Sequence, residues 1–157
     1  MDTSFGHWLS GLIDGEGCFR VHKGKRGAYY ATHFALKLRD DDTPVLREIW
    51  GQTGFGVLKP DRTRSGNSNP CMAWVIQSKA DCLRLVELLD KYPLRSRKAR
   101  DYVLWREAVE VWVSMKRGNR WHGPRDWSPM IRLKEAIEDA RSYRPPSHHS
   151  SPPPNRM

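Results

Sequence analysis

Two carboxylates at the end of an apolar run are the residues of this chain whose types and spacing point most directly to chemistry. They stand in Trp8-Leu9-Ser10-Gly11-Leu12-Ile13-Asp14-Gly15-Glu16-Gly17. Trp8, Leu9, Leu12 and Ile13 recur at helical spacing, so Asp14 and Glu16 fall at the C-terminal end of that helix, where the dipole is negative and an acid is mildly destabilising. A cost of that kind asks for a compensating cation. Gly11 and Gly15, one turn apart, leave a groove into which a second helix can pack closely, although each weakens the helix by roughly 1 kcal/mol relative to alanine. If the second helix is a two-fold copy, both Glu16 carboxylates converge, and like charges sharing a site are relieved by taking up a proton or a metal ion. The same spacing also fits an ordinary amphipathic helix that Gly15 and Gly17 cap in a turn before a strand.

The elements that must position these groups are legible in the local patterns. Ser4 is placed to cap a first helix over residues 5–15. Phe19 and Val21 then alternate with Cys18, Arg20 and His22, the period of a half-buried strand, and Gly24-Lys25-Arg26-Gly27 makes a hairpin loop carrying Lys23, Lys25 and Arg26. Residues 29–39 return as a second strand, with Tyr30, Thr32, Phe34, Leu36 and Leu38 on one face and His33, Lys37 and Arg39 on the other. Asp42 or Thr43 caps a short helix that has Pro44 in its first turn, sends Val45, Leu46 and Ile49 to the core, and is ended by Gly51 and Gly54. Strands over 55–59 and 72–77 flank a polar loop at 60–70.

Ser78 opens a helix whose apolar stripe is Ala80, Cys82, Leu83, Val86, Leu88 and Leu89. A longer helix over 96–115 carries Val103, Leu104, Trp105, Val109, Val111, Trp112 and Val113, more bulk than one buried stripe needs, which predicts packing on more than one side. Residues 116–127 follow no trustworthy period. Ser128 and Pro129 start a last helix with Ile131, Leu133, Ala136 and Ile137, ending by about Tyr143. Two hairpins, each followed by a helix, make an α+β unit.

The chain has 157 residues, enough for one modest core; residues 1–143 form the expected body, and the Ser/Pro-rich 144–157 tail is expected to be disordered. Twenty-seven Lys and Arg against eighteen Asp and Glu give a net charge of +9, which favours a polyanionic partner without separating DNA from RNA or an acidic membrane face. Cys18, Cys71 and Cys82 are odd in number and lack paired spacing, so neither a disulfide framework nor a zinc knuckle is indicated. No apolar run approaches the roughly 18 residues of a membrane span and no leader pattern opens the chain. The expectation is a soluble intracellular protein, cytoplasmic if prokaryotic, with no membrane partner.

The string Leu9-Ser10-Gly11-Leu12-Ile13-Asp14-Gly15-Glu16-Gly17, followed by Cys18-Phe19-Arg20-Val21, closely resembles the signature of the LAGLIDADG homing endonucleases, with Gly-Glu-Gly in place of the family's Ala-Asp-Gly. Residues 34–42 with Leu46 and Ile49, and residues 92–102, extend the resemblance over about residues 4 to 115. It implies an αββαββα core with a curved antiparallel sheet and extra C-terminal helices. Since the motif occurs once, it also implies a homodimer on a roughly palindromic double-stranded DNA target. Trp8, Ser10, Gly11, Asp14 and Gly15 then fall on the dimer seam, although Asp14 also suits a structural role at the helix end.

By the same resemblance Glu16 is the catalytic acid and holds Mg2+ together with the Gly15 carbonyl, with Mn2+ as a substitute metal. Arg97 or Lys98, of which Lys98 is favoured, supplies an active-site cation, and Arg39 falls where the family carries a water-organising residue. The expected DNA contacts are Arg20, His22, Lys23, Lys25, Arg26, His33, Lys37, Arg39, Lys59, Arg62, Arg64, Arg95, Arg97 and Arg100. Cutting a site of about twenty base pairs across the minor groove leaves four-base 3′ overhangs, on the family's pattern. The alternative within this fold is an RNA-splicing maturase or a non-cleaving nucleic-acid-binding protein, for which RNA is the partner.

Overall fold

The computed structural model describes residues 1–24, 29–61, 70–115 and 125–142. Lys25, Arg26, Arg62 and Arg64, the 116–124 segment and the 144–157 tail lie outside the described residues. Helix α1 spans Thr3–Glu16, and its first turn is capped by Asp2, whose side chain accepts from the Phe5 amide at 2.7 Å. Ser4, the expected cap, lies inside the helix. Phe5 stands three positions after Asp2, the reach an N-cap oxygen needs, so the earlier acid wins.

From Glu16 the chain passes directly into strand β1 (Gly17–Lys23), which pairs antiparallel with β2 (Tyr30–Arg39). Gly17 makes that junction possible, because a Cβ there would stand 2.7 Å from the Ile13 carbonyl oxygen and 3.0 Å from the Phe34 ring. A 3-10 turn over Asp40–Asp42 leads into α2 (Thr43–Thr53), with Pro44 in its first turn. Neither expected cap acts as one: Asp42 makes no capping bond, and the Thr43 hydroxyl donates back to the Asp40 carbonyl at 2.6 Å. The helix runs through Gly51 and stops at Gly54, whose positive φ of 69° is the left-handed termination glycine tolerates.

Strands β3 (Val57–Asp61) and β4 (Cys71–Ile76) complete a four-stranded sheet in the order β1-β2-β4-β3. The third strand starts later than expected because Phe55 is used in the core and Gly56 adopts a φ of 77°. Helices α3 (Lys79–Lys91, capped by Ser78 as expected), α4 (Lys98–Ser114) and α5 (Ser128–Arg141) follow. The α3 stripe is shifted from its expected position: Leu85 is buried and Leu83 is exposed. In α4, Val103 is exposed, while Tyr102, Trp105, Ala108 and Val109 are buried between the sheet and α5, so two of its sides are covered.

The core lies on one face of the sheet. Leu9 and Ile13 of α1 pack with Phe19, Phe34 and Trp74, all fully buried, and the Phe19 and Phe34 ring centroids are 4.9 Å apart. Each such side chain contributes about 1.5–3 kcal/mol by leaving water. These contacts hold α1 against the sheet and therefore fix where its last residue, Glu16, emerges. The opposite sheet face carries the polar residues that the alternation predicts.

Candidate functional site

The C-terminal end of α1 and the N-terminal end of α4 meet, and each supplies the charge the other lacks. Lys98 Nζ donates to the Gly15 carbonyl oxygen at 2.8 Å, the cation that the acidic helix end required. In return Asp14 accepts from the Arg95 amide at 2.7 Å, from the Ser96 amide at 3.2 Å and from the Ser96 hydroxyl at 2.8 Å. Ser96 Oγ in turn accepts from the Lys98 amide at 3.1 Å. A chain of short bonds thus runs from Asp14 to the backbone of the residue whose ammonium sits on Gly15.

A cleft of about 450 Å3 opens at this junction, lined by Asp14, Gly15, Ser96, Arg97, Lys98, Asp101, Ala140 and Arg141. Arg141 closes its far side: its Nε donates to Asp101 at 2.8 Å and another of its nitrogens donates to the Phe19 carbonyl. Neither Asp101 nor Arg141 stood out in the sequence. They are 40 residues apart, on helices whose packing no local pattern reveals.

Glu16 follows Gly15 and is exposed; it is not among the residues lining the cleft, and its carboxylate makes no hydrogen bond or ion pair among the described residues. A carboxylate and a backbone carbonyl are hard oxygen donors of the kind Mg2+ accepts, and that ion ordinarily completes its shell with water and phosphate oxygens. The residues therefore fit a divalent ion, provided the Lys98 ammonium shares or leaves the Gly15 oxygen. No group of three or more His, Cys, Asp or Glu suited to a metal occurs among the described residues.

One face of α1 has no cover among the described residues. Trp8 is 45% exposed, and a Cβ added at Gly11 or Gly15 would meet nothing within 4 Å. Ser10 and Asp14 are directed elsewhere: Ser10 is buried and donates to the Pro93 carbonyl at 3.2 Å, and Asp14 is engaged with Arg95 and Ser96. Among the described residues, then, the open stripe is formed by Trp8, Gly11 and Gly15.

On the outward sheet face, strand pairing sets Arg20 opposite His33, and Lys37 opposite Ala73 and then Lys59. His22 joins this group; Lys23 alternates to the other face at the exposed strand end. Burial, followed by the nearby Arg20, His22 and Lys59 charges, pushes the His33 pKa below its ordinary 6.5, leaving a neutral ring that can both donate and accept at pH 7. Lys37 is held by Asp61 at 2.7 Å. Arg39 makes a two-toothed ion pair with Asp41, at 2.7 and 2.5 Å, and is not among the residues lining the cleft. Arg95 and Arg100 are exposed around the start of α4.

Fold and site together define a LAGLIDADG-type α+β module, in which a helix ending in a carboxylate lies against a four-stranded sheet with a cationic outer face. Residues 9–109 match the family model described as LAGLIDADG endonuclease, and the chain belongs to that family. It is similar to a probable intron-encoded endonuclease 3 of Neurospora crassa, 32% identical over 111 residues that make up 66% of this chain and 20% of that protein. Among solved structures it is similar to the LAGLIDADG meganuclease I-AabMI bound to uncleaved DNA, with a TM-score of 0.66, 26% identity, and 82% of this chain and 43% of that chain covered. The homing endonuclease I-TnaI shares the fold at a TM-score of 0.58 and 23% identity, with 87% of this chain and 97% of that chain covered. The chain spans between 20% and 28% of the length of the curated relatives it matches. No helix among the described residues is long and apolar enough to cross a membrane.

Proposed function

We propose that this chain is a subunit of a metal-dependent, site-specific double-strand DNA endonuclease. The observation that carries the reading is the junction at Gly15 and Lys98: a backbone carbonyl and an ammonium meet at the end of a helix whose next residue, Glu16, is exposed and has a carboxylate with no partner among the described residues. Two protomers paired through the Trp8, Gly11 and Gly15 stripe would bring two such junctions side by side, one for each DNA strand. The cationic sheet face suits the major groove, where Arg20, Lys37 and Lys59 can meet guanine acceptors and neutral His33 can meet donor or acceptor. The DNA-bound meganuclease similar to this chain supports that choice of partner.

In hydrolysis a water oxygen bonds to phosphorus as the ester P–O bond breaks, and charge grows on the oxygens of the transferring group. A divalent ion, Mg2+ or Mn2+, held by Glu16 and the Gly15 carbonyl would supply Lewis acidity for that charge. Lys98, released from Gly15, can donate to a phosphoryl oxygen or orient the water, while Asp14 and Ser96 keep its backbone in place. Arg97, which also lines the cleft, adds positive potential. The reading includes a nearly palindromic target and four-base 3′ overhangs.

Selection of cleaved members from a randomised duplex library in the presence of Mg2+, with the cut ends sequenced, tests partner, symmetry and overhang at once. Glu16→Gln should abolish cutting and keep binding. Tight binding of intron RNA with no duplex cut would replace this reading by the maturase one.

A further inference from the structure

Among the described residues one acid, Asp61 at the end of the edge strand β3, lies beside the cations of the outer sheet face. The shallow hollow there is lined by Arg20, His33, Lys37, Lys59 and Asp61, with Ala73 as its floor. Lys37 lies on β2 and Asp61 on β3, two strands apart, and β4 runs between them. Ala73, directly beside Lys37 and 6% exposed, is too small to block the path, so the Lys37 ammonium reaches across β4 to Asp61 Oδ2 at 2.7 Å. Both side chains remain accessible, at 47% and 38%. The bond uses one of three N–H donors on Lys37 and one of two oxygens on Asp61, so the pair still offers a donor and an acceptor side by side.

An acid at this place weakens phosphate binding, because it cancels a cation and repels the backbone. Stability is a poor reason for it, since an exposed ion pair is worth at most about 1 kcal/mol. Base edges reward what phosphates penalise. A G·C pair presents the guanine O6 acceptor next to the cytosine N4 amino donor in the major groove, the complement of an ammonium next to a carboxylate.

We propose that Lys37 and Asp61 form one preorganised reading unit for a G·C base pair, Lys37 donating to guanine and Asp61 accepting from cytosine N4. The inference rests on the DNA-directed reading above and adds a specificity residue to it. Arg39 and Asp41 are a different case: they are two residues apart at a strand end, and their pairing is local.

Sequencing the bound pool of a randomised duplex library, for the full chain and for Asp61→Asn and Lys37→Met, tests the proposal independently of cutting. The expected result is a G·C preference at one position per half-site that both variants lower at least about tenfold, leaving other positions unchanged. Asp61→Asn should move that position toward A·T, because an amide pairs with adenine N6 and N7. Profiles that match the parent everywhere, or variants that disturb different positions, overturn it. A parent that binds a preferred duplex without cutting it ends the nuclease reading while the base preference is still scored; a parent with no preferred duplex ends this inference.

Discussion

Lys98 Nζ lies 2.8 Å from the carbonyl oxygen of Gly15, so the cation of the α4 start neutralises the acidic end of α1. Asp14 returns the favour to the turn before α4 through Arg95 and Ser96. Two unfavourable helix ends, one with acids at its negative pole and one with bases at its positive pole, become favourable as a pair.

Lys98→Met should therefore lower single-turnover cleavage of the selected target by about 100-fold or more, with target affinity in a gel-shift assay changed only a few-fold. Lys98→Arg keeps the charge and should recover part of the rate. Full activity of the methionine variant would remove Lys98 from the chemistry.

Asp14→Ala leaves the Arg95 and Ser96 amides without their acceptor and should cost about 1–3 kcal/mol in urea denaturation. Cleavage should fall as well, because the Lys98 backbone is held through Ser96 Oγ. A variant with parental stability would show that solvent satisfies the turn equally well.

Gly17→Ala is expected to destabilise the protomer by about 1–3 kcal/mol, since its methyl group would press on the Ile13 carbonyl. Gly11→Leu should behave oppositely. Its Cβ site is open, so thermal unfolding of the dilute protomer changes little, whereas self-association by sedimentation should be lost. Retained association would place the seam on another surface.

His33 gives a signed pH prediction. With its pKa held below 6.5 in the fold, the unfolded chain binds more protons than the native one as pH falls beneath 6.5. The contribution of His33 is thus fully present above 6.5 and lost as pH falls through the lowered folded value. Urea midpoints measured between about pH 5 and 7.5 should slope less for His33→Gln than for the parent. Equal slopes would assign the effect to other groups.

Cys82, buried and pushed up to about 11, should resist a thiol reagent at pH 8 until the protein unfolds. Cys18 and Cys71 are half-buried and should react first, a difference that stepwise mass labelling would reveal.

Local patterns settled a definite part of this protein. The apolar spacing of Leu9 and Ile13 determines that Glu16 ends a helix, and the two-residue alternation of β1 and β2 determines that Arg20, His33 and Lys37 share the outer face. Such periods are properties of contiguous residues, so they can be read without knowing what packs where. The resemblance of residues 9–17 to a known signature pointed to the family that the match over residues 9–109 established.

Tertiary structure decided the rest. That Lys98 reaches Gly15, and that Asp14 holds the turn at Ser96, depend on the docking of helix ends whose bonded residues are 83 and 82 positions apart in the chain, which no local period encodes. The Lys37 bridge to Asp61 depends on the register of three strands and on a small Ala73 between them. Arg141 and Asp101 belong to the cleft only because α5 packs along α4. Periodicity orients a side chain relative to its own element; only the packing of one element against another chooses its partner.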